Sequence, residues 1–375
     1  MENLKELRRY LHQHPELSGK EKETATFLKK KLKEIGVDEI HDDFSQHSFL
    51  AIIKGQNEGE NILYRSELDA LPIEELNDFS YKSKTKGISH KCGHDGHMTI
   101  LVGLAEKFIK NRPNNGDVFL LYQSAEETGE GAQAIIDSGF LKKFKIDVVL
   151  ALHNVPSYPK GAILCKTGVI TPTVESLKLR IEGDTSHAGS PDKGNNPATT
   201  IAELVTFFQS FHQPKSGEKD YFVVAPVFIN LGREAYGISA GRADIGYTFR
   251  SDDISFFKNK KAVIEEKIKQ LCKQKKLNFK IDWVEPFQSN FNAKDIVDEI
   301  KKATNKLNYK YIEKSTPFDW GEDFGLLTQT YKGAMFGLGS GENLEDLHHG
   351  AYDFPDEIIQ NGVDVFYQLS NQIQK

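Results

Sequence analysis

The pattern of apolar and polar residues changes once along the chain, near residue 174. Before that point, short segments that are apolar throughout alternate with stretches whose apolar residues recur at helical spacing. Strands that lack alternation are typical of a sheet covered on both faces, so an α/β domain is expected here. The pattern predicts strands at 49–53, 62–64, 118–123 and 147–153, and helices at 2–14, 20–35, 97–111 and about 131–138.

From residue 174 the segment VESLKLRIEG alternates apolar and polar residues, which indicates a strand with one face in water. The elements that follow give the order β-α-β-β-α-β, a compact unit with helices on one side of a sheet. We interpret 174–287 as an inserted domain, and 1–173 with 288–375 as one discontinuous catalytic domain. After the first strand the pattern predicts a helix at 197–211, strands at 222–231 and 243–250, a helix at 254–275 and a strand at 277–284.

Composition narrows the classes of protein to consider. The 375 residues are 38% hydrophobic and 27% charged, as in a soluble globular protein, and the net charge of −6 gives no basic face for nucleic acid. The charged start lacks the apolar core of a signal peptide, and no stretch approaches the ~18 apolar residues of a membrane span. Three widely spaced cysteines make a disulfide framework unlikely, so we expect a cytoplasmic protein.

The segment KCGHDGHM places Cys92 two residues before His94. A thiolate and an imidazole are both good ligands for zinc-like metals. The same pair also fits a cysteine nucleophile with its base, although no local signature of such an enzyme accompanies it. A buried cysteine near the start of a helix is the third interpretation. The short motif alone leaves all three open.

Further polar residues follow predicted strands. Asp69 lies just past one apolar strand, the pair Glu126 and Glu127 follows another, and His153 ends a third. In α/β sheets the chemistry lies at the carboxyl ends of the strands. His348 adds a histidine in a polar loop. Each residue taken alone also fits an ordinary structural role, but together they suit one or two divalent ions with positions open to water.

Seven segments of the chain, in this order, resemble one family of enzymes. The resemblance is to the aminoacylase/carboxypeptidase-like metallohydrolases, in the branch with hippurate hydrolase, N-acyl-amino-acid amidohydrolases and plant auxin-conjugate hydrolases. It implies a mixed-sheet, metallo-exopeptidase-like catalytic domain with an inserted ferredoxin-like lid or dimerisation domain. The segments are RSELDALP, HKCGHDGHM, QSAEETGEGA, LHNVP, SHAGSPDKGNNPA, EDFGLLTQTYKGAMFGLGSG and LHHGAYDFPDE.

The resemblance also implies roles for single residues. Glu126 matches the general base, Asp69 the acid that supports a metal-binding histidine, and His187 a histidine of the inserted domain that stabilises the oxyanion. Two divalent ions are implied, and Zn, Mn, Co or Ni would suit this mixture of ligands. The residues that match metal ligands are Cys92, His94, Glu127, His153 and His348.

Three positions depart from the family pattern. Glu67 stands where the family usually has Asp, Lys91 where it has Ala, and Gly237 where it has Asn. The asparagine helps to hold substrate in the family, so Gly237 leaves the anchoring of the substrate open. The ligand positions and the base are all retained, and an active enzyme is therefore expected.

The sequence thus predicts a metal-dependent hydrolase of the amide bond in N-acyl amino acids or related small conjugates. A homodimer through the inserted domain is the partner that the resemblance implies. Three alternatives remain open at this point: a dipeptidase or aminopeptidase of the same general family, a non-catalytic ligand-binding homologue, and a Cys–His nucleophilic hydrolase.

Overall fold

The computed structural model describes residues 2–218 and 220–375. Within these residues no helix is long and apolar enough to cross a membrane. The helices are α1 (Glu2–Gln13), α2 (Lys22–Ile35), α3 (His94–Lys110), α4 (Gly131–Ser138), α5 (Ala198–Gln209), α6 (Ile254–Gln274), α7 (Lys294–Lys306), α8 (Gly325–Thr330) and α9 (Ile359–Ile373). The strands are β1 (Glu39–His41), β2 (Phe49–Ile53), β3 (Ile62–Glu67), β4 (Val118–Gln123), β5 (Val148–Pro156), β6 (Ile163–Cys165), β7 (Gly168–Thr171), β8 (Thr173–Glu182), β9 (Ser186–His187), β10 (Val223–Leu231), β11 (Ile238–Ser239), β12 (Arg242–Ser251), β13 (Asn278–Phe287), β14 (Asn290–Asn292), β15 (Tyr311–Glu313) and β16 (Gly333–Gly341).

The chain divides into two compact units. The larger unit comprises the chain up to Ile170 together with Asn290–Ser315 and Glu322–Lys375. Its sheet has eight strands in the order β1-β2-β4-β3-β5-β16-β6-β15. The central strands β4, β3, β5 and β16 are parallel, whereas β1–β2, β2–β4 and β16–β6 pair antiparallel. The predicted α/β fold with a mixed sheet is confirmed.

The central strands are buried at every position, which explains why segments such as 62–64 and 148–152 are apolar throughout. Helix α3 packs closely against its neighbours because it carries a glycine on the packed face. A Cβ added at Gly103 would come within 2.8 Å of Leu4 in α1 and 2.9 Å of Val363 in α9. The fit fixes α3 across the sheet, and α3 begins at the segment that carries Cys92 and His94.

The smaller unit comprises Thr171–Ser289 and Thr316–Gly321, the latter a segment outside the predicted insertion. Its four-stranded antiparallel sheet has the order β10-β12-β8-β13. Along β8 the side chains of Leu177, Leu179 and Ile181 are buried beneath α5 and α6, and the residues between them face outwards. This is the alternation that the sequence shows, and the connectivity is ferredoxin-like.

Several predicted elements differ from the observed ones at their ends. Helix α3 begins at His94 rather than at 97, so His94 is a helical residue. Strand β3 continues to Glu67, three residues beyond the apolar segment that predicted it, and β5 continues to Pro156. Polar and charged residues therefore extend the buried strands at their carboxyl ends, where the candidate site lies.

Candidate metal centre

The segment with Cys92 contacts β5 near the carboxyl ends of the central strands. Cys92 is buried, and its Sγ lies 3.4 Å from Nε2 of His153 in β5. His94 is the first residue of α3, and its ring completes a buried group of three ligand atoms that all lie within 4.8 Å of one another. The close turn between Cys92 and His94 requires Gly93, since its φ is +92° and an added Cβ would lie 2.3 Å from Oδ1 of Asn154.

The two glutamates follow β4 and face the same cluster. Nε2 of His94 lies 3.8 Å from Oε2 of Glu126 and 3.9 Å from Oε1 of Glu127. The other oxygen of Glu127, Oε2, lies 3.5 Å from Nε2 of His348, which comes from the loop after β16. Cys92, Glu127 and His348 form a second group of three ligand atoms within 4.8 Å of one another. The two groups share Cys92.

The turn before the glutamates has a strained backbone. Ala125 adopts φ +55°, a left-handed conformation that is uncommon for residues other than glycine. Its amide donates a hydrogen bond of 2.8 Å to Oε1 of Glu21, a fully buried residue just before α2. Glu21 therefore helps to hold the turn that directs Glu126 and Glu127 towards the cluster.

Two of the histidines are oriented by hydrogen bonds on the side away from the cluster. Nδ1 of His94 donates to the backbone carbonyl of Asp69 at 2.9 Å, and Nδ1 of His153 donates to the carbonyl of Asn154 at 2.9 Å. In this tautomer the lone pair of Nε2 faces the cluster, as a metal ligand requires.

The residues present fit divalent metal ions. Nε2 of His94 and Oε1 of Glu127 are buried and have no hydrogen-bond partner among the described residues. Leaving such groups unsatisfied is costly, and a cation would satisfy both. Thiolate, imidazole and carboxylate together are a donor set that suits zinc and related metals.

The raised pKa values of Cys92, Glu126 and Glu127 indicate an excess of anionic groups in the cluster. Burial, together with nearby Glu322 and Glu127, holds the pKa of Glu126 well above its usual range. Burial raises the pKa of Glu127 to about 7, and burial with the charge of Glu127 raises the pKa of the Cys92 thiol. These shifts arise because several anionic groups share a space with little solvent. Bound cations would stabilise their charged forms.

The carboxylate of Asp69 contacts two residues of the cluster and belongs to none of the groups of possible ligand atoms among the described residues. This fully buried carboxylate accepts hydrogen bonds from the hydroxyl of Ser18 at 2.7 Å and the amide of Glu127 at 2.9 Å. Its other oxygen lies 3.4 Å from Nδ1 of His94. Asp69 thus contacts the backbone of one ligand and the ring of another.

His97, the last histidine of the segment, uses both ring nitrogens elsewhere. Nδ1 donates to Oε2 of Glu67 at 2.6 Å, and Nε2 accepts from the amide of Asn154 at 3.1 Å. It is therefore a structural link between α3, β3 and β5, and its nitrogens have no lone pair left for a metal. Glu67, one of the departures from the family pattern, is the carboxylate that holds it.

Sequence reasoning missed a buried ionic cluster beside the site. Arg65 is fully buried in β3, and its guanidinium pairs with Glu67, with Glu322 at 3.0 Å and with Asp323 at 2.5 Å. The carboxylates of Glu126, Glu322 and Asp323 lie within 4.8 Å of one another. The signal that could have revealed it was Arg65 directly after the apolar segment 62–64, two residues before Glu67.

His187 lies in the smaller unit and is exposed. It belongs to β9, where it pairs with Ile238 of β11, and its Nδ1 accepts from the amide of Gly189 at 3.0 Å. The carbonyl of Gly237 accepts from the amide of Ala188 at 2.9 Å, and a Cβ at Gly237 would meet open space. The role of His187 at the cluster stays a prediction.

The comparisons with known proteins agree with this fold. The model of "Peptidase family M20/M25/M40" matches residues 63–372. The N-acetyl-L-cysteine deacetylase of Bacillus subtilis is 31% identical over 98% of this chain and 87% of its own, and the hippurate hydrolase of Campylobacter jejuni is 30% identical over 97% and 94%. The YXEP protein of Bacillus subtilis, described as a dinuclear metal-binding peptidase from family M20, has a similar fold, with a TM-score of 0.84, 24% identity and coverage of 100% and 98%.

These relatives confirm the predicted class, an enzyme that hydrolyses amide bonds. The chain belongs to peptidase family M20/M25/M40, and the family resemblance predicted from the sequence is confirmed.

The contacts of Asp69 predict its effect on His94. Burial opposes a charge on His94, but the hydrogen bond to Asp69 and the charge of Glu67 raise its pKa to about 10. In metal-free Asp69→Asn the pKa of His94 should fall, and metal affinity should drop about 10- to 100-fold, because the ring loses the carboxylate charge 3.4 Å from Nδ1 and keeps only the hydrogen bond to the backbone carbonyl of residue 69. Histidine NMR titration and chelator competition measure the two effects. Asp78→Asn, at an exposed position, should change neither; an unchanged His94 pKa in Asp69→Asn would contradict the assignment.

Proposed function

We propose that this chain hydrolyses the amide bond of N-acyl amino acids with the help of two divalent metal ions. The observation that carries the proposal is the meeting of three kinds of ligand atom around Cys92, with Glu126 beside them. The deacetylase and hydrolase names of the relatives support the substrate class, and the dinuclear description of the YXEP protein supports the number of ions.

The ligands for these ions are divided between the two groups around Cys92. One ion would be held by Cys92, His94 and His153, and the other by Cys92, Glu127 and His348. When bound, such ions supply a Lewis acid that lowers the pKa of water and polarises a carbonyl. Zn, Mn, Co and Ni all suit the donor set.

Glu126 is the proposed general base. It is outside both groups of ligand atoms around Cys92, although its carboxylate lies within 4.8 Å of ligand atoms of His94 and Glu127, and its Oε2 is 3.8 Å from Nε2 of His94. Its carboxylate can therefore take a proton from the attacking water and deliver it to the leaving amine. A protein that only binds its ligand has no need of a further carboxylate beside these two groups.

Replacing Glu126 by glutamine tests the assignment. The variant should keep two metal ions per chain by elemental analysis but lose turnover about 10²- to 10⁴-fold, as expected when a general base is removed. N-acetyl amino acids, N-benzoyl amino acids and free dipeptides should be compared as substrates. Glu130→Gln, an exposed position in the same turn, is the matched control. Near-normal rates in Glu126→Gln, or hydrolysis of free dipeptides alone, would contradict the proposal.

We further propose that the predicted insertion, 174–287, is a lid and dimerisation domain. Strand β10 is an edge strand of its sheet. Beyond a bulge at Pro226 its residues carry no charge, and Val227, Ile229 and Leu231 are 64, 46 and 41% exposed. An exposed apolar edge without charges tends to pair with another chain, and a second copy of β10 is the proposed occupant.

The same domain supplies the proposed oxyanion donor, His187. His187→Ala should lower kcat about 10²- to 10³-fold, the usual effect of removing such a donor, and leave metal content unchanged. Equal losses of metal and kcat in His187→Ala would indicate a structural role.

The proposed dimer has its own test. Ile229→Lys should dissociate the dimer, as measured by sedimentation. A wild-type monomer at all concentrations would contradict the dimer.

A further inference from the structure

Lys91 is fully buried and directly precedes Cys92 in the sequence. Its Nζ donates to Oε1 of Glu75 at 2.5 Å and to the backbone carbonyl of Tyr352 at 2.8 Å. A buried ammonium group is costly unless it is paired and hydrogen-bonded. Both partners are present, and one of them belongs to the loop that carries His348.

The backbone of Lys91 contacts the same loop a second time. Its carbonyl accepts a hydrogen bond of 2.8 Å from the amide of His348. His348 has φ +66°, a left-handed conformation that costs free energy in a non-glycine residue and persists only when its surroundings hold it. Side chain and backbone of Lys91 thus fasten the loop at Tyr352 and at His348, next to Cys92.

His348 is more dependent on its backbone than the other histidines of the cluster. Its side chain is 51% exposed, whereas those of His94 and His153 are buried. Nδ1 of each buried histidine donates to a carbonyl, but within residues 2–218 and 220–375 Nδ1 of His348 makes no such bond. The position of the His348 ring is therefore set mainly by where the loop is fastened.

Glu75, the carboxylate that pairs with Lys91, is itself held by several hydrogen bonds. Oε1 of Glu75 also accepts from Nε2 of His12 in α1 at 2.9 Å, and Nδ1 of His12 lies 2.8 Å from the buried carboxylate of Asp95 in α3. Oε2 of Glu75 accepts from the amide of Ser83 at 2.5 Å. Glu75 is thus tied to two helices, so Lys91 connects the His348 loop to a rigid part of the larger unit.

We propose that Lys91 is a positioning residue that sets the affinity for the metal ion held by Glu127 and His348. The proposal rests on the metal centre proposed above. It assigns Lys91 a larger effect on this ion than on the other, because His348 depends on the loop for its position, whereas Nδ1 of His94 is held by the carbonyl of Asp69, outside the loop. A lysine with a merely structural role would alter the stability of the fold without favouring either ion.

The test compares metal binding in the wild type, Lys91→Met, His348→Ala and the double variant, by chelator competition with Zn²⁺. Lys91→Met should weaken binding of the ion held by Glu127 and His348 about 10-fold or more, as is usual for residues that orient ligands, and weaken binding of the other ion less. The double variant should bind no more weakly than His348→Ala, since Lys91 acts through His348. Lys107→Met is the matched control: Lys107 lies on α3 and pairs with Asp364 at 2.6 Å, and its loss should affect neither ion.

Equal affinity in wild type and Lys91→Met, or additive losses in the double variant, would overturn the role of Lys91 and leave the metal centre intact. A wild type that retains no Zn²⁺ would overturn the metal centre and, with it, the role of Lys91. If Lys91→Met does not fold, hydrogen exchange on the metal-loaded wild type decides. The amide of His348 should exchange slowly, and exchange as fast as in exposed loops would refute the fastening by Lys91.

Discussion

The buried crowding of anionic groups around Cys92 is the constraint on which the rest of the site depends. Glu126, Glu127 and the thiol are held together with little water, and burial raises the pKa of each. The fold tolerates this arrangement because carboxylates outside the cluster hold its backbone: Glu21 accepts from the amide of Ala125, and Asp69 accepts from the amide of Glu127. Divalent cations are the partners that this environment favours, and the same crowding is consistent with the proposed role of Glu126 as general base.

The surroundings of the cluster are organised to hold it. The carboxylate of Asp69 contacts the backbone amide of Glu127 and the ring of His94. Glu21 supports the strained turn at Ala125. On the other side Lys91 fastens the loop of His348. His94, Glu127 and His348 are thus each contacted by a residue outside the two groups of ligand atoms.

Much of the fold was predictable because the buried strands are apolar throughout, as at 49–53 and 118–123. Strands of three residues, such as β6 and β15, carry too little pattern to be predicted. The candidate ligands could be predicted from residue type and position, and the family of the chain could be predicted from its resemblance to known enzymes. The hydrogen bonds of His97 and the contacts of Lys91 could not, because both depend on partners distant in sequence whose approach only the folded chain determines.

Cys92 joins the two groups of ligand atoms, so its sulfur is the most direct probe of the whole account. X-ray absorption at the zinc edge of the Zn²⁺-loaded protein should show sulfur at about 2.3 Å alongside the lighter nitrogen and oxygen ligands. The sulfur contribution should disappear in Cys92→Ser. A wild-type spectrum with nitrogen and oxygen ligands alone would contradict a metal centre built around Cys92.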